Sequence, residues 1–286
     1  MGETASGKTD LAEALADELG AQLVNADAFQ VYRRMDVGTA KSARKDEYRL
    51  VDLIDPNVTF GAGHFTQLAA EVLRECHQAG KDVILVGGSG LYVRALFEGY
   101  SEMGGPPDAD LRAELNARRE RDGLESLVEQ LKELDPSTAA VIDLKNPMRV
   151  QRAIERKLRP IQTKPVDLPP FRRLKIAIRI EESELVLRLR QRTQKMMHNG
   201  WIEEVSLLKH HGFRLEDPGL RAIGYRSLWR HLDGEISREE ALEEIERDTR
   251  RFAKRQRTWL RAEPNLLWVG PAGTDGLQQQ VAELLG

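Results

Sequence analysis

The chain has 286 residues, of which 41% are apolar and 31% charged, with a net charge of −3 and one cysteine. A single cysteine excludes intrachain disulfides and any cysteine-rich zinc module, and no apolar run is long enough for a membrane-spanning helix. With no signal-peptide pattern either, a reducing cytoplasm is the expected compartment, and the length suits one large core or a core with an insertion.

The chain opens MGETASGKTD. Residues 2–9 fit the phosphate-loop pattern G-x-x-x-x-G-K-[ST], in which backbone N–H groups turn inward toward an anion. Lys8 supplies a point charge for a terminal phosphate and Thr9 a hydroxyl for Mg²⁺. Leu11, Ala12, Leu15, Ala16 and Leu19 recur at helical spacing and Gly20 stops them, so the loop opens a helix whose dipole favours the anion. Such a loop ordinarily leaves a buried central strand. Only Met1 precedes it here, and a truncation of about five to ten residues is expected.

AQLVNAD then reads as a short buried strand ending near Asn25, which puts Asp27 just past its carboxyl edge, where open parallel sheets bind ligands. QVYRRMDVGTAK reads as a loop and Leu50–Ile54 as another short apolar strand. A helix is expected from about Gly63 to Ala79, with Cys76 buried on it, then a strand over Val83–Val86, a glycine turn and a helix from LYVRALFEG. The order is that of an α/β fold with a mostly parallel sheet flanked by helices. The Gly- and Pro-rich GYSEMGGPPDAD breaks the pattern, and LRAELNARRERDGLESLVEQLKELDPSTAAVID reads as helices alone. The expected organisation is a core over 1–104 and 146–286, with an all-helical insertion over 105–145. RVQRAIERKLR reads as a helix, RLKIAIRI as a strand returning to the sheet, and LLWV as a late strand after long helices. Trp201, Trp229 and Trp259 read as packing anchors.

The charge is uneven. Residues 149–261 hold 27 Lys and Arg against 17 Asp and Glu, a net of +10, while the remainder is at −13. A basic half suggests a polyanionic partner such as nucleic acid, although some of these charges form i,i+4 pairs. The best second strand ends in Gly-Gly-Ser, without the Asp that commonly holds Mg²⁺ for phosphoryl transfer. Asp27 is instead placed as a general base. The residues therefore favour a ligand whose diphosphate is a handle or a leaving group. A small-molecule or nucleoside kinase, and an inactive RNA-binding protein, stay open.

GETASGKT, NADAFQVYRRMDVGTAK, LVDLIDP, VGGSGLYVRAL, NPMRVQRAIE, LRAIGYRSLW and AKRQRTWLR, in that order, resemble the tRNA dimethylallyltransferase (IPP transferase) family over nearly the whole chain. The resemblance implies transfer of a dimethylallyl group from dimethylallyl diphosphate to N6 of the adenosine 3′ to the anticodon, with Mg²⁺ as the ion and a monomer binding the tRNA anticodon stem-loop. It implies that Gly2, Thr4, Ala5, Ser6, Gly7, Lys8 and Thr9 hold the diphosphate, with Thr9 at the metal. Asp27 is the expected base, Ser89 lies near the reacting centre and Arg221 helps hold the diphosphate. Gln30, Val31 and Tyr32 are expected to line the channel for the flipped base, and Gln151 and Arg152 to contact tRNA. The chain departs from the family at Glu3, where Pro is usual, and at Ala28 and Phe29. An acid at position 3 is expected to be unfavourable unless it points to solvent.

Overall fold

The computed structural model describes residues 1–99, 108–159, 166–270 and 281. The fold is α/β and divides into two compact units, Met1–Val93 with Asp167–Gly286, and Arg94–Val166. The break expected at 99–110 lies mostly outside the described residues.

In the first unit, α1 (Lys8–Leu19) follows the glycine loop and ends at Gly20, which adopts the left-handed conformation and returns its N–H to Ala16. That conformation costs glycine nothing. The next elements are β1 (Gln22–Asn25), β2 (Tyr48–Arg49), α2 (Ala62–Gln78) and β3 (Val83–Val86). The strands form a parallel sheet in the order β2-β1-β3, with Leu23 opposite Tyr48 and Ile84, and Asn25 opposite Val86. Cys76 is buried on α2 as expected. The strand expected over Leu50–Ile54 is displaced to Tyr48–Arg49. Leu50 and Asp52 have φ of 66° and 53°, which a strand cannot hold. Ile54 makes only an isolated bridge to Tyr32.

After α3 (Gly90–Glu98), the second unit contains α4 (Ala109–Leu134), α5 (Pro136–Val141) and α6 (Pro147–Leu158). Gly123 interrupts α4 with a φ of 82° and folds it back on itself. Leu111, Leu115, Leu127 and Leu131 then pack on Val150 and Ile154 of α6. Burying each such side chain contributes about 1.5–3 kcal/mol. This packing is why residues 146–166, assigned from sequence to the core, cluster with the helical unit.

The chain re-enters the first unit as β4 (Lys175–Ile178), followed by α7 (Glu182–His198), α8 (Trp201–His210), α9 (Tyr225–Leu232), α10 (Arg238–Arg261) and β5 (Leu266–Val269). Contrary to the expectation that this strand returns to the sheet, among the described residues β4 does not pair with the first sheet; it pairs with β5 in a parallel ladder of its own, Lys175 opposite Leu266. The two sheets share apolar contacts under α1, where Leu11, Leu15 and Leu19 meet Ile84, Ile176 and Leu267. Trp201, Tyr225 and Leu228 anchor a second core with Val31, Tyr32 and Met35, and Trp229 is also buried there. Among the described residues, no helix is long and apolar enough to cross a membrane.

Candidate active site

The parallel register of β1 and β3 brings two loops together at one sheet edge. Asn25 closes β1 and is buried. Its Oδ1 accepts the Asp27 N–H at 2.9 Å, and its Nδ2 donates to the carbonyls of Leu50 at 2.9 Å and Asp27 at 3.2 Å. Asp27 Oδ1 accepts the Phe29 N–H at 2.9 Å. Asp27 is therefore also the turn residue that its type suggests, and one carboxylate oxygen fixes the loop. From the β3 side, Ser89 Oγ accepts the Ala28 N–H at 3.1 Å and so ties the glycine turn to the Asp27 loop.

Gly87 makes this closeness possible, because a Cβ there would stand 2.2 Å from the carbonyl oxygen of Ala26. Gly87→Ala is therefore expected to push the two strand ends apart. It should cost about 1–3 kcal/mol of stability and lower activity further by displacing Asp27. Thermal unfolding read beside turnover checks this, and a variant with full stability and full rate would contradict it.

The phosphate-loop pattern lies against the same edge. Gly7 is left-handed at the start of α1, and the Ser6 N–H donates to the Glu3 carbonyl at 3.2 Å. Ser6 Oγ is buried with no hydrogen-bond partner among the described residues. Lys8 is half-buried, and among the described residues its Nζ makes only a long 3.4 Å contact with the Glu3 carbonyl. Burial and the facing Arg192 guanidinium lower its pKa to about 8, with Asp27 opposing. Glu3 is 4% exposed and does not point to solvent. Its carboxylate instead pairs with Arg257 at 2.8 Å, which compensates a charge that would otherwise oppose an anion.

A cavity of about 400 Å³ joins these parts, and Thr4, Lys8, Thr9, Asp27, Gln30, Ser89 and Arg221 all line it. Gln30 Nε2 also donates to the carbonyls of Thr39 and Ala40, at 3.1 and 3.3 Å, which ties it to the 36–41 loop. Glu204 holds that loop through the N–H groups of Asp36, Val37 and Gly38 at 2.6–3.0 Å. Not every expected site residue is in the cavity wall. Gly2, Ala5, Ser6 and Gly7 shape the loop behind it, and Val31 and Tyr32 are core residues, 0% and 2% exposed. Gln151 is buried in the helical unit and donates to Asn116 at 2.6 Å, while Arg152 pairs with buried Glu155 at 2.9 Å. Both side chains hold that unit together.

The cavity also contains residues that the sequence reading did not single out. Arg192 of α7 lines it, and among the described residues no hydrogen bond or ion pair holds its guanidinium. Burial lowers its pKa, with Asp27 opposing. An unpaired cation held beside Lys8 is poised for an anion. The signal was present: Leu185, Leu189, Arg192 and Met196 fall on one helical stripe, and only Arg192 is charged. Gln256 likewise interrupts the stripe of Ile245, Ala253 and Leu260 on α10. The cavity is also lined by the apolar side chains of Leu189, Met196, Ile223, Ile245 and Phe252.

The chain is 39% identical over 291 residues to a tRNA dimethylallyltransferase of Syntrophobacter fumaroxidans, covering 98% of this chain and 85% of that one. It is 38% identical over 300 residues to the tRNA dimethylallyltransferase of Geobacter sulfurreducens, covering 100% and 96%. The crystal structure of a tRNA isopentenylpyrophosphate transferase from Bacillus halodurans superposes with a TM-score of 0.72 at 34% identity, over 99% of this chain and 94% of that one. A eukaryotic dimethylallyltransferase described as acting on tRNA shares the fold at a TM-score of 0.78 and 20% identity, over 98% and 76% of the two chains. The IPP transferase family model matches residues 30–263, and the chain belongs to that family.

Proposed function

We propose that this enzyme transfers the dimethylallyl group of dimethylallyl diphosphate to N6 of the adenosine 3′ to the anticodon in tRNA, releasing diphosphate. One observation carries the reading: a single cavity is lined by the phosphate-loop Lys8 and Thr9, the carboxylate of Asp27 and apolar side chains such as Leu189, Met196 and Ile223. Relatives named tRNA dimethylallyltransferase support it. In this reading, the bond between the allylic carbon and the diphosphate oxygen breaks, a bond to N6 forms, and Asp27 accepts the N6 proton. Lys8, Arg192 and Arg221 neutralise the charge that grows on the leaving diphosphate. Leu189, Met196 and Ile223 keep the prenyl chain out of water. The target base must leave its stack to enter the cavity, and the anticodon stem-loop is the part of tRNA that is bound. We take the enzyme to act as a cytoplasmic monomer.

The donor set fits Mg²⁺ carried in on a diphosphate. That ion needs only one or two protein oxygens beside the substrate's own, and the Thr9 hydroxyl is at hand in the cavity. No group of three or more His, Cys, Asp or Glu forms a metal cage among the described residues. When bound, the ion supplies charge neutralisation on the diphosphate.

Expression in a bacterial strain lacking its own tRNA prenyltransferase tests the function. Digested tRNA should contain N6-dimethylallyladenosine; tRNA left unmodified by well-expressed protein would contradict the assignment. Arg192→Ala should raise the donor KM about 10–100-fold through loss of a charged contact worth about 1.5–3 kcal/mol, with tRNA affinity unchanged. An unaltered donor KM would remove Arg192 from the diphosphate site.

A further inference from the structure

Two adjacent residues of α10 reach back across the sequence to the site. The Gln256 side chain is 7% exposed. Its Oε1 accepts the Thr4 N–H of the phosphate loop at 2.8 Å, and its Nε2 donates to the Gly88 carbonyl at 3.1 Å. One donor and one acceptor fix the orientation of the carboxamide. The turn also fits the amide closely, since a Cβ on Gly88 would come within 2.2 Å of Gln256 Nε2. Beside it, Arg257 binds Glu3 in a fork, Nε to Oε1 at 2.8 Å and Nη2 to Oε2 at 3.2 Å, and its Nη1 reaches Glu182 of α7 at 2.9 Å. Arg257 thus grips the residue before Thr4, and Gln256 grips Thr4 itself. The Gly88 turn continues to Ser89, which holds the Ala28 N–H next to Asp27.

We propose that Gln256 and Arg257 are positioning residues: from one turn of α10 they set the phosphate loop against the glycine turn, and so set the diphosphate cradle against Asp27. Both act through the loops they hold: Gln256 lines the cavity, but its carboxamide is taken up by Thr4 and Gly88. Gln256 spans the two loops with a single rigid group, so the spacing of leaving group and base follows from the length of one carboxamide. Arg257 makes the Glu3 carboxylate part of the scaffold instead of a charge opposing the donor. Replacing both members of such a buried pair by neutral groups of similar shape is far milder than removing one. Small displacements matter here because rate falls steeply when reacting groups are misplaced by an ångström.

The inference rests on the prenyl-transfer reading, and the test separates the two. Wild type, Gln256→Glu, Arg257→Met and the Glu3→Gln/Arg257→Met double variant are compared by donor KM, kcat, tRNA Kd and the affinity for inorganic diphosphate. Arg257→Met should weaken donor and diphosphate binding about tenfold or more, because it leaves Glu3 unpaired in the cradle, while tRNA Kd stays unchanged. Adding Glu3→Gln should restore most of that loss. Gln256→Glu, which faces a carboxylate oxygen to the Gly88 carbonyl, should lower kcat at least about tenfold and leave tRNA Kd unchanged. The inference is overturned if Arg257→Met and Gln256→Glu match wild type. It is also overturned if Arg257→Met loses tRNA binding and folding along with donor binding and Glu3→Gln does not rescue it, since that marks a general structural role. A wild-type protein that neither binds diphosphate nor transfers the prenyl group would defeat the functional reading itself.

Discussion

Asp27→Asn should lower the rate of prenyl transfer by about 10²–10⁴-fold, the usual contribution of a positioned general base, and leave tRNA affinity unchanged. An exocyclic adenine amine is a weak nucleophile, and its attack on the allylic carbon needs a carboxylate to take the proton. Asparagine tests this cleanly. Asp27 Oδ1 accepts the Phe29 N–H at 2.9 Å, and the asparagine side-chain oxygen can keep that bond. The Asp27 backbone is held separately by Asn25 at 2.9 Å. The loop should therefore survive while the base is lost. Single-turnover transfer and filter binding of tRNA measure the two effects. Turnover near the wild-type rate would take the base role away from Asp27.

Lys8→Ala should lower kcat/KM for dimethylallyl diphosphate by about 10²–10³-fold, the scale found when one preorganised group stabilising transition-state charge is removed. The ammonium is half-buried beside Arg192, and among the described residues its one hydrogen bond is a long contact of 3.4 Å to the Glu3 carbonyl. Burial already lowers its pKa to about 8, so the folded protein holds this cation at a cost that a diphosphate would relieve. Inhibition by inorganic diphosphate should weaken in parallel, because the same charge meets product and leaving group. Donor kinetics with saturating tRNA measure the loss. An unchanged donor KM and an unchanged diphosphate inhibition constant would contradict the cradle assignment.

The parts of the fold that were legible in the sequence are those whose local pattern matches their burial. α1, α2, β1 and β3 carry plain apolar periodicity and glycine stops, and the expected β3 agrees with the observed Val83–Val86. β2 was misplaced because the apolar residues Leu50–Ile54 look like a strand, while Leu50 and Asp52 are held left-handed within a web in which Lys41 and Lys45 pair with Asp52. Only tertiary contacts impose that conformation. The wider extent of the helical unit was hidden for a similar reason. A Leu-rich α4 and a basic α6 show no sign of their pairing until Gly123 folds α4 back.

At the site, residues close in sequence were readable and those brought from α7 and α10 were not. The phosphate loop, Asp27 and Ser89 follow short motifs at strand ends. In the sequence Arg192 is one more charge in a basic run, although its place on the Leu185–Leu189–Met196 stripe marks it as facing inward. Beside its neighbours in the loop alone, Glu3 looks like a charge that opposes an anion. Its partner, Arg257, is 254 residues away, and no local pattern joins them. Val31 and Tyr32 illustrate the opposite case: the resemblance groups them with Gln30 along the channel, and packing against Trp201, Tyr225 and Leu228 buries them in the core.

The most direct measurement incubates the protein with labelled dimethylallyl diphosphate, Mg²⁺ and unmodified tRNA carrying adenosine 3′ to the anticodon, and counts label in the RNA against diphosphate released. The account predicts one label at that adenosine for each diphosphate set free. Diphosphate release, or turnover of ATP, with no label entering the tRNA would contradict it.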